Sequence, residues 1–304
     1  MARRLTGAAS DALLDLVRGA PRPATVVGAG PYATYVQLDA GTGADINGAD
    51  MNGGLLALVS RGAVRVPCAI VVAGTGSPGS SPLPELSPGA RATVGANQVS
   101  WDGGSLAVVR WWSAARVTSA QAAPTDARGL PRRLAALRLA VGAHRLPAGV
   151  PLALAAAADA IGRSDPVAAA EAVRPVLGLG TGLTPSADDA VAGLLLAARS
   201  WHGADGGPTV SAVGALLAHD LLSRTTAVSA GLLRHAAEGR GAPEVVAAVE
   251  HLTGRRVARD EQQALARLLA LGHSSGRDTA LGSLAFLQHQ TTATAHRPTV
   301  RESA

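Results

Sequence analysis

Asn97-Gln-Val-Ser-Trp-Asp-Gly-Gly-Ser-Leu-Ala-Val-Val-Arg110 is the stretch that decides how the first part of this chain is read. Two alternating runs flank Asp102-Gly103, and such a dipeptide supplies the positive φ angles of a tight hairpin. Upstream, Ala24-Thr-Val-Val27, Ala33 to Leu38, Leu55 to Leu58 and Val64 to Val72 are short, apolar or β-branched, and separated by Gly, Asn, Asp or Pro clusters. These features predict strands whose spacing suits a small sheet or barrel. Asp11 to Val17 predicts a short amphipathic helix. Trp111 and Trp112 end the hairpin and are expected to cover a domain seam rather than to bind a ligand.

Downstream of the hairpin the pattern changes. Thr118 to Leu130 is a Ser, Ala, Pro and Gly-containing stretch with the composition of a linker. Beyond it, apolar residues recur three and four apart in Pro131 to Val141, Val150 to Ile161, Pro166 to Val173, Asp188 to Arg199, Val210 to Leu222, Thr225 to Glu238, Pro243 to Leu252, Asp260 to Leu271 and Asp278 to Gln288. That is the period of helices. The expected fold class is therefore α+β: a β-rich N-terminal domain over residues 1–128, an all-helical C-terminal domain over 129–290, and a flexible tail over 291–304.

Composition narrows the possible functions. The 304 residues are 47% hydrophobic and 16% charged, enough apolar material for a sizeable core and too little charge for a disordered chain. No apolar run reaches the roughly 18 residues of a membrane span, so a soluble protein with no membrane partner is expected. The N-terminal Met-Ala-Arg-Arg-Leu-Thr is not followed by an apolar h-region, which points to the cytoplasm. Cys68 is the one cysteine, which excludes an internal disulfide and a multi-thiolate zinc site, and its apolar surroundings predict a core thiol. All 27 basic side chains are arginines. Schiff-base chemistry and a P-loop lysine are thereby excluded. The pI near 10.7 would suit nucleic acid, but the arginines are scattered and aromatics are 2%, so no nucleic-acid partner is expected.

Two segments of the helical half carry the chemistry. Gly178-Leu-Gly-Thr-Gly-Leu-Thr-Pro-Ser-Ala-Asp-Asp-Ala-Val-Ala-Gly193 and Gly272-His-Ser-Ser-Gly-Arg-Asp-Thr-Ala-Leu-Gly282 share Ser-x-x-Asp-x-x-x-Gly-x-Leu at an offset of 89 residues. Ser186, Asp189, Gly193 and Leu195 correspond to Ser275, Asp278, Gly282 and Leu284. One reading is structural: each Ser-x-x-Asp caps a helix start, and each glycine lets two helices pack closely. The other is functional. Gly178, Gly180 and Gly182 would let backbone N–H groups turn toward an anion at a helix N-terminus, with Thr184, Ser186, Ser274 and Ser275 adding hydroxyls. Asp188, Asp189 and Asp278 would then need a hard cation such as Mg2+, held by Asp188 and Asp189, or an ordered arginine. Arg277 and Arg224 are the candidates, both suited to bidentate contact with a carboxylate or phosphoryl group. Thr225, Thr226 and Ser229 follow Arg224, although hydroxyls so placed often bond only the preceding turn. His273 is a candidate general base.

Other motifs weaken on inspection. Gly28-Ala-Gly30 lacks the third glycine of a dinucleotide-binding turn. Gly272-His-Ser-Ser-Gly276 has the letters of a nucleophile elbow but follows a predicted helix, not a strand. Asp45 to Gly54 is Asx-rich but lacks the register of a calcium loop.

In order and spacing, residues 178 to 189, Thr225-Thr-Ala-Val-Ser229 and residues 272 to 279 resemble the signature blocks of the AllH-like family. The family pattern has glycine between Ser186 and Asp188, where this chain has Ala187. The family includes a subunit of oxamate carbamoyltransferase. The resemblance therefore implies carbamoyl transfer on a small anionic amide or acid of the oxamate or carbamoyl phosphate class. It also implies partner subunits of a multi-component enzyme, and a homo-oligomer is a further expectation. Carbamoyl transfer calls for cationic or N–H donors at phosphate and at the developing oxyanion, with little need of a protein nucleophile. Two alternatives stand beside it: a non-catalytic binding or regulatory subunit, and a metal-dependent amide hydrolase.

Overall fold

The alternation read in the first third closes into a cylinder. In the computed structural model, which describes residues 3–39, 54–73, 83–118, 128–256 and 260–295, eight strands form one closed barrel. They are β1 (Arg3–Ser10), β2 (Arg22–Ala29), β3 (Ala33–Leu38), β4 (Leu55–Val59), β5 (Ala69–Val72), β6 (Arg91–Gly95), β7 (Gln98–Trp101) and β8 (Gly104–Trp112). Their order around the barrel is β1-β5-β4-β3-β2-β6-β7-β8, and parallel pairing of β1 with β8 closes the ring. Closure removes the unpaired edges that an open sheet would expose. The inward faces supply Leu56, Leu58, Ile70 and Leu106, all fully buried. Cys68 lies in the same core, where burial pushes its thiol up to about 12, as befits an inert packing residue. The Asx-rich run and most of the expected linker lie outside the described residues.

Four details differ from the sequence expectation. Strand β1 was not anticipated: Arg-Arg-Leu-Thr-Gly-Ala-Ala-Ser is weak in β-branched and aromatic residues, and it is a strand because β5 and β8 pair with it on either side. Residues 64–68 are not strand, and β5 begins only at Ala69, after Pro67, which has no N–H to donate. At the β7–β8 turn only Gly103 has positive φ (82°). The turn with two left-handed residues is instead Ala96-Asn97 (φ 50° and 60°), joining β6 to β7.

The described chain divides into two compact units, one comprising residues 1–116, 218–235 and 240–243, the other residues 117–217, 236–239 and 244–304. Alongside the barrel, the first holds α1 (Leu14–Arg18), α6 (Leu221–Arg224) and most of α7 (Ala227–Ala237). Val228 joins the barrel core, and Gly231 sits so near β4 that a Cβ there would lie 2.7 Å from Leu55 Cδ2.

The second unit is helical, with α2 (Leu130–Val141), α3 (Val150–Gly162), α4 (Pro166–Val173), α5 (Ser186–Ala218), α8 (Pro243–Leu252), α9 (Glu261–Leu269) and α10 (Ser275–Ala295). Helix α5 is two helices joined at Gly203, whose φ of 62° breaks the regular path. Helix α10 packs against α2, α3 and α9, and it crosses α5 with backbone nearly touching backbone. A Cβ on Gly193 would stand 2.1 Å from the carbonyl oxygen of Thr279, and one on Gly282 would stand 1.7 Å from that of Ala190. The contact is reciprocal, because Ala190 and Thr279 each directly follow the repeated aspartate. Ser283 Oγ ties the crossing with a 3.1 Å bond to the Gly193 carbonyl.

Gly193→Ala and Gly282→Ala are each expected to destabilise the protein by at least about 2 kcal/mol through this overlap. Gly162→Ala, whose new methyl meets only the His289 ring, at 3.6 Å from Cε1, serves as the near-neutral control in the same thermal melts.

Candidate functional site

The crossing decides where the two Ser-x-x-Asp bends lie. Ser186 opens α5 and Ser275 opens α10, and the hydroxyls of Thr184 and Ser275 meet at 3.0 Å across 91 residues of sequence. The first helical turn of each segment then places Asp189 and Asp278 beside these hydroxyls. Both are buried, at 9% and 0% exposure, and each keeps one carboxylate oxygen, Oδ2, with no hydrogen-bond partner among the described residues.

Their surroundings differ. Asp278 Oδ1 lies 2.7 Å from His144 Nε2, an imidazole delivered by the loop between α2 and α3. Asp189 has no such imidazole partner. Burial pushes its carboxyl up to about 7, the hydroxyls of Ser275 and Thr184 pull it down, and the charges of Asp278 and Asp188 push it further up. A group poised there exchanges a proton near neutral pH. Asp188 is also buried, but its Oδ1 accepts the Gly178 N–H at 2.8 Å and holds the glycine loop onto the start of α5. The repeated aspartates do not close capping boxes among the described residues: their amides bond the Pro185 and Ser274 carbonyls, and the Asp278 carboxylate reaches sideways to His144.

In front of the aspartates the loop is open. Gly178, Gly180 and Gly182 have φ of 80°, 129° and 89°, values that side chains rarely tolerate. The amides of Gly180, Thr181 and Gly182 donate to no acceptor among the described residues, and all three residues are exposed. On the second bend, His273 is exposed and Ser274 half-buried. The Ser274 carbonyl accepts the N–H groups of Arg277 and Asp278, and Arg277 Nη1 lies 3.5 Å from the His273 carbonyl.

The remaining sequence candidates belong to the first unit. Arg224 is exposed, with Nε 4.0 Å from Asp220 Oδ2 one turn back. Thr226 Oγ1 accepts the Ser229 N–H at 3.0 Å and so caps α7, and the Thr225 N–H bonds the Leu221 carbonyl. Ser229 is buried in the same helix. Asp188 and Asp189, expected together as cation ligands, face different partners. Among the described residues no group of three or more His, Cys, Asp or Glu side chains is arranged to hold a metal ion.

His144 was missed. It stands in Gly142-Ala-His-Arg-Leu-Pro147, a polar break between helices, and no local spacing links it to an aspartate 134 residues away.

Two of the three blocks that carried the family resemblance, residues 178 to 189 and 272 to 279, meet at the hydroxyl and aspartate junction. Residues 176–287 match the family described as oxamate carbamoyltransferase subunit AllH. The AllH match covers both bends and the Thr225 to Ser229 segment, and it leaves the barrel outside. No solved structure matches this chain. No described helix is long and apolar enough to cross a membrane.

Asp189 sets a pH dependence of stability. Its folded value of about 7 lies above the ordinary aspartate value of 3.8, so the stability contributed by the retained proton is fully present below about pH 4 and is lost as pH rises through 7. Asp189→Asn should flatten the melting-temperature profile across that window. At pH 8 it should be the more stable protein, by an amount on the order of a few kcal/mol.

Proposed function

We propose that this chain is a carbamoyltransferase-related subunit. In this reading the junction of α5 and α10 handles a small anionic amide or acid of the oxamate and carbamoyl phosphate class. The observation that carries the reading is Asp189: a buried carboxyl with an unpartnered oxygen, holding a proton to near neutrality, behind a glycine loop with free amides. The AllH match over the same residues supports the substrate class.

The chemistry is consistent with these groups. Carbamoyl transfer forms a bond from the acceptor amide nitrogen to the carbamoyl carbon and breaks the bond from that carbon to a phosphate oxygen. The nitrogen sheds a proton, which ionised Asp189 takes up. In reverse, phosphate attacks the ureido carbonyl, and protonated Asp189 returns the proton to the departing nitrogen. A neutral Asp189 also removes the repulsion that three carboxylates would exert on an incoming anion. The Gly180 to Gly182 amides supply N–H donors to a phosphate or oxyanion, and Arg277 supplies positive charge beside the second bend. Asp278, steadied by His144, acts on the charge of Asp189 and is a positioning residue.

A second reading, that the chain binds ligand but completes catalysis only with partner subunits, is favoured by the family description, which names a subunit. Assay of the purified chain alone and mixed with its partner subunits separates the two. Turnover alone supports the first reading, and turnover only in the mixture supports the second.

Asp189→Asn and Asp278→Asn are expected to fold yet to lose the rise in melting temperature that carbamoyl phosphate or oxamate gives the parent protein. Full retention of that rise in both variants would remove the aspartates from the site.

A further inference from the structure

The outer wall of the barrel carries a cavity. It has a volume of about 510 Å3 and is lined by Thr6, Gly7 and Ala8 of β1, by the end of β5, by Val109 to Trp112 of β8, and by Arg61 and Arg65. The strand register explains why it opens here. Gly7 pairs with Val108 but Ala8 pairs with Arg110, so Val109 is an extra residue in β8. Such a bulge re-aims the side chains beside it. Val109 and Arg110 both face outward, and Val109 is 60% exposed. Gly7 presents bare backbone at the same level. The loop between β4 and β5, which joins two parallel neighbours, brings Arg61 and Arg65 to the rim.

Three arginines therefore line one hollow, and no acidic residue is among the described residues that line it. None of Arg61, Arg65 and Arg110 makes a hydrogen bond or an ion pair among the described residues. Two indoles complete the wall. Trp112 is locked by its Nε1–H, which donates to the Ala8 carbonyl at 3.2 Å. Trp111 has a further guanidinium, that of Arg18, 5.2 Å from its ring centroid. Unpaired arginines suit phosphate oxygens, with which they make forked bonds, and indole faces suit a planar ring.

From Arg61, Arg65 and Arg110 lining one cavity together with Trp111 and Trp112, we infer that the barrel binds a nucleoside phosphate, phosphates on the arginines and base against the tryptophans. This site is independent of the aspartate junction and stands whatever reaction that junction serves.

The test is titration of the full chain with adenosine diphosphate, read by tryptophan fluorescence and by calorimetry, with pyrophosphate in parallel. Saturable quenching is expected, weakening as salt is raised because the contacts are ionic. Arg110→Ala and Arg65→Ser should each weaken binding by about tenfold or more, equivalent to about 1.4 kcal/mol. Trp111→Leu should weaken adenosine diphosphate and leave pyrophosphate unchanged. Circular dichroism checks that each variant folds, and the two arginine variants back each other up. Absence of saturable binding at millimolar concentration, unchanged affinity in both arginine variants, or equal affinity for pyrophosphate and adenosine diphosphate would each overturn the inference.

Discussion

The helical unit depends on one steric fact: α5 and α10 approach until the backbone of each occupies the space where the other's Cβ would be. Gly193 and Gly282 are the two places where that approach is tightest, and each faces the residue that follows the opposite aspartate. Once the helices meet so closely, their first turns have no freedom to diverge. Thr184 and Ser275 are brought into hydrogen-bond contact, and Asp188, Asp189 and Asp278 are confined to one small volume away from water. The geometry of packing thus creates an electrostatic problem that the sequence must then solve.

Three buried carboxylates in one place cannot all be ionised without compensation. The protein resolves this by giving each a different arrangement. Asp188 is satisfied by a backbone amide, Asp278 by an imidazole, and Asp189 by retaining its proton. The two bends are related by an internal echo, but His144 serves only one of them. That single imidazole gives Asp278 a partner that Asp189 lacks, while burial is the main reason Asp189 holds its proton to about 7.

The parts that the sequence made legible are those governed by short-range rules. Helical period marked the second half, and the 89-residue echo pointed both to the close helix crossing and to the aspartates that meet there. What stayed hidden depends on distant partners. Strand β1 has little intrinsic preference for its conformation and is held by β5 and β8, the latter about a hundred residues away. His144 acquires meaning only opposite Asp278. The Asp102-Gly103 turn was legible and joins β7 to β8, with Trp101 paired to Gly104, but the two left-handed residues at Ala96-Asn97 between β6 and β7 were not. The arginines looked scattered for the same reason: Arg110 is far along the chain from Arg61 and Arg65 and joins them at one cavity only when the barrel closes.

The first unit is not one continuous stretch. Residues 218–235 pack with the barrel, filling its core with Val228 and pressing Gly231 against Leu55, yet they are made after most of the helical unit. During vectorial synthesis the cylinder therefore leaves the ribosome with part of its apolar surface still waiting for a segment encoded more than a hundred residues later. Maturation of the two units is interleaved, and no single cut in the chain releases the barrel with its complete complement of packing partners.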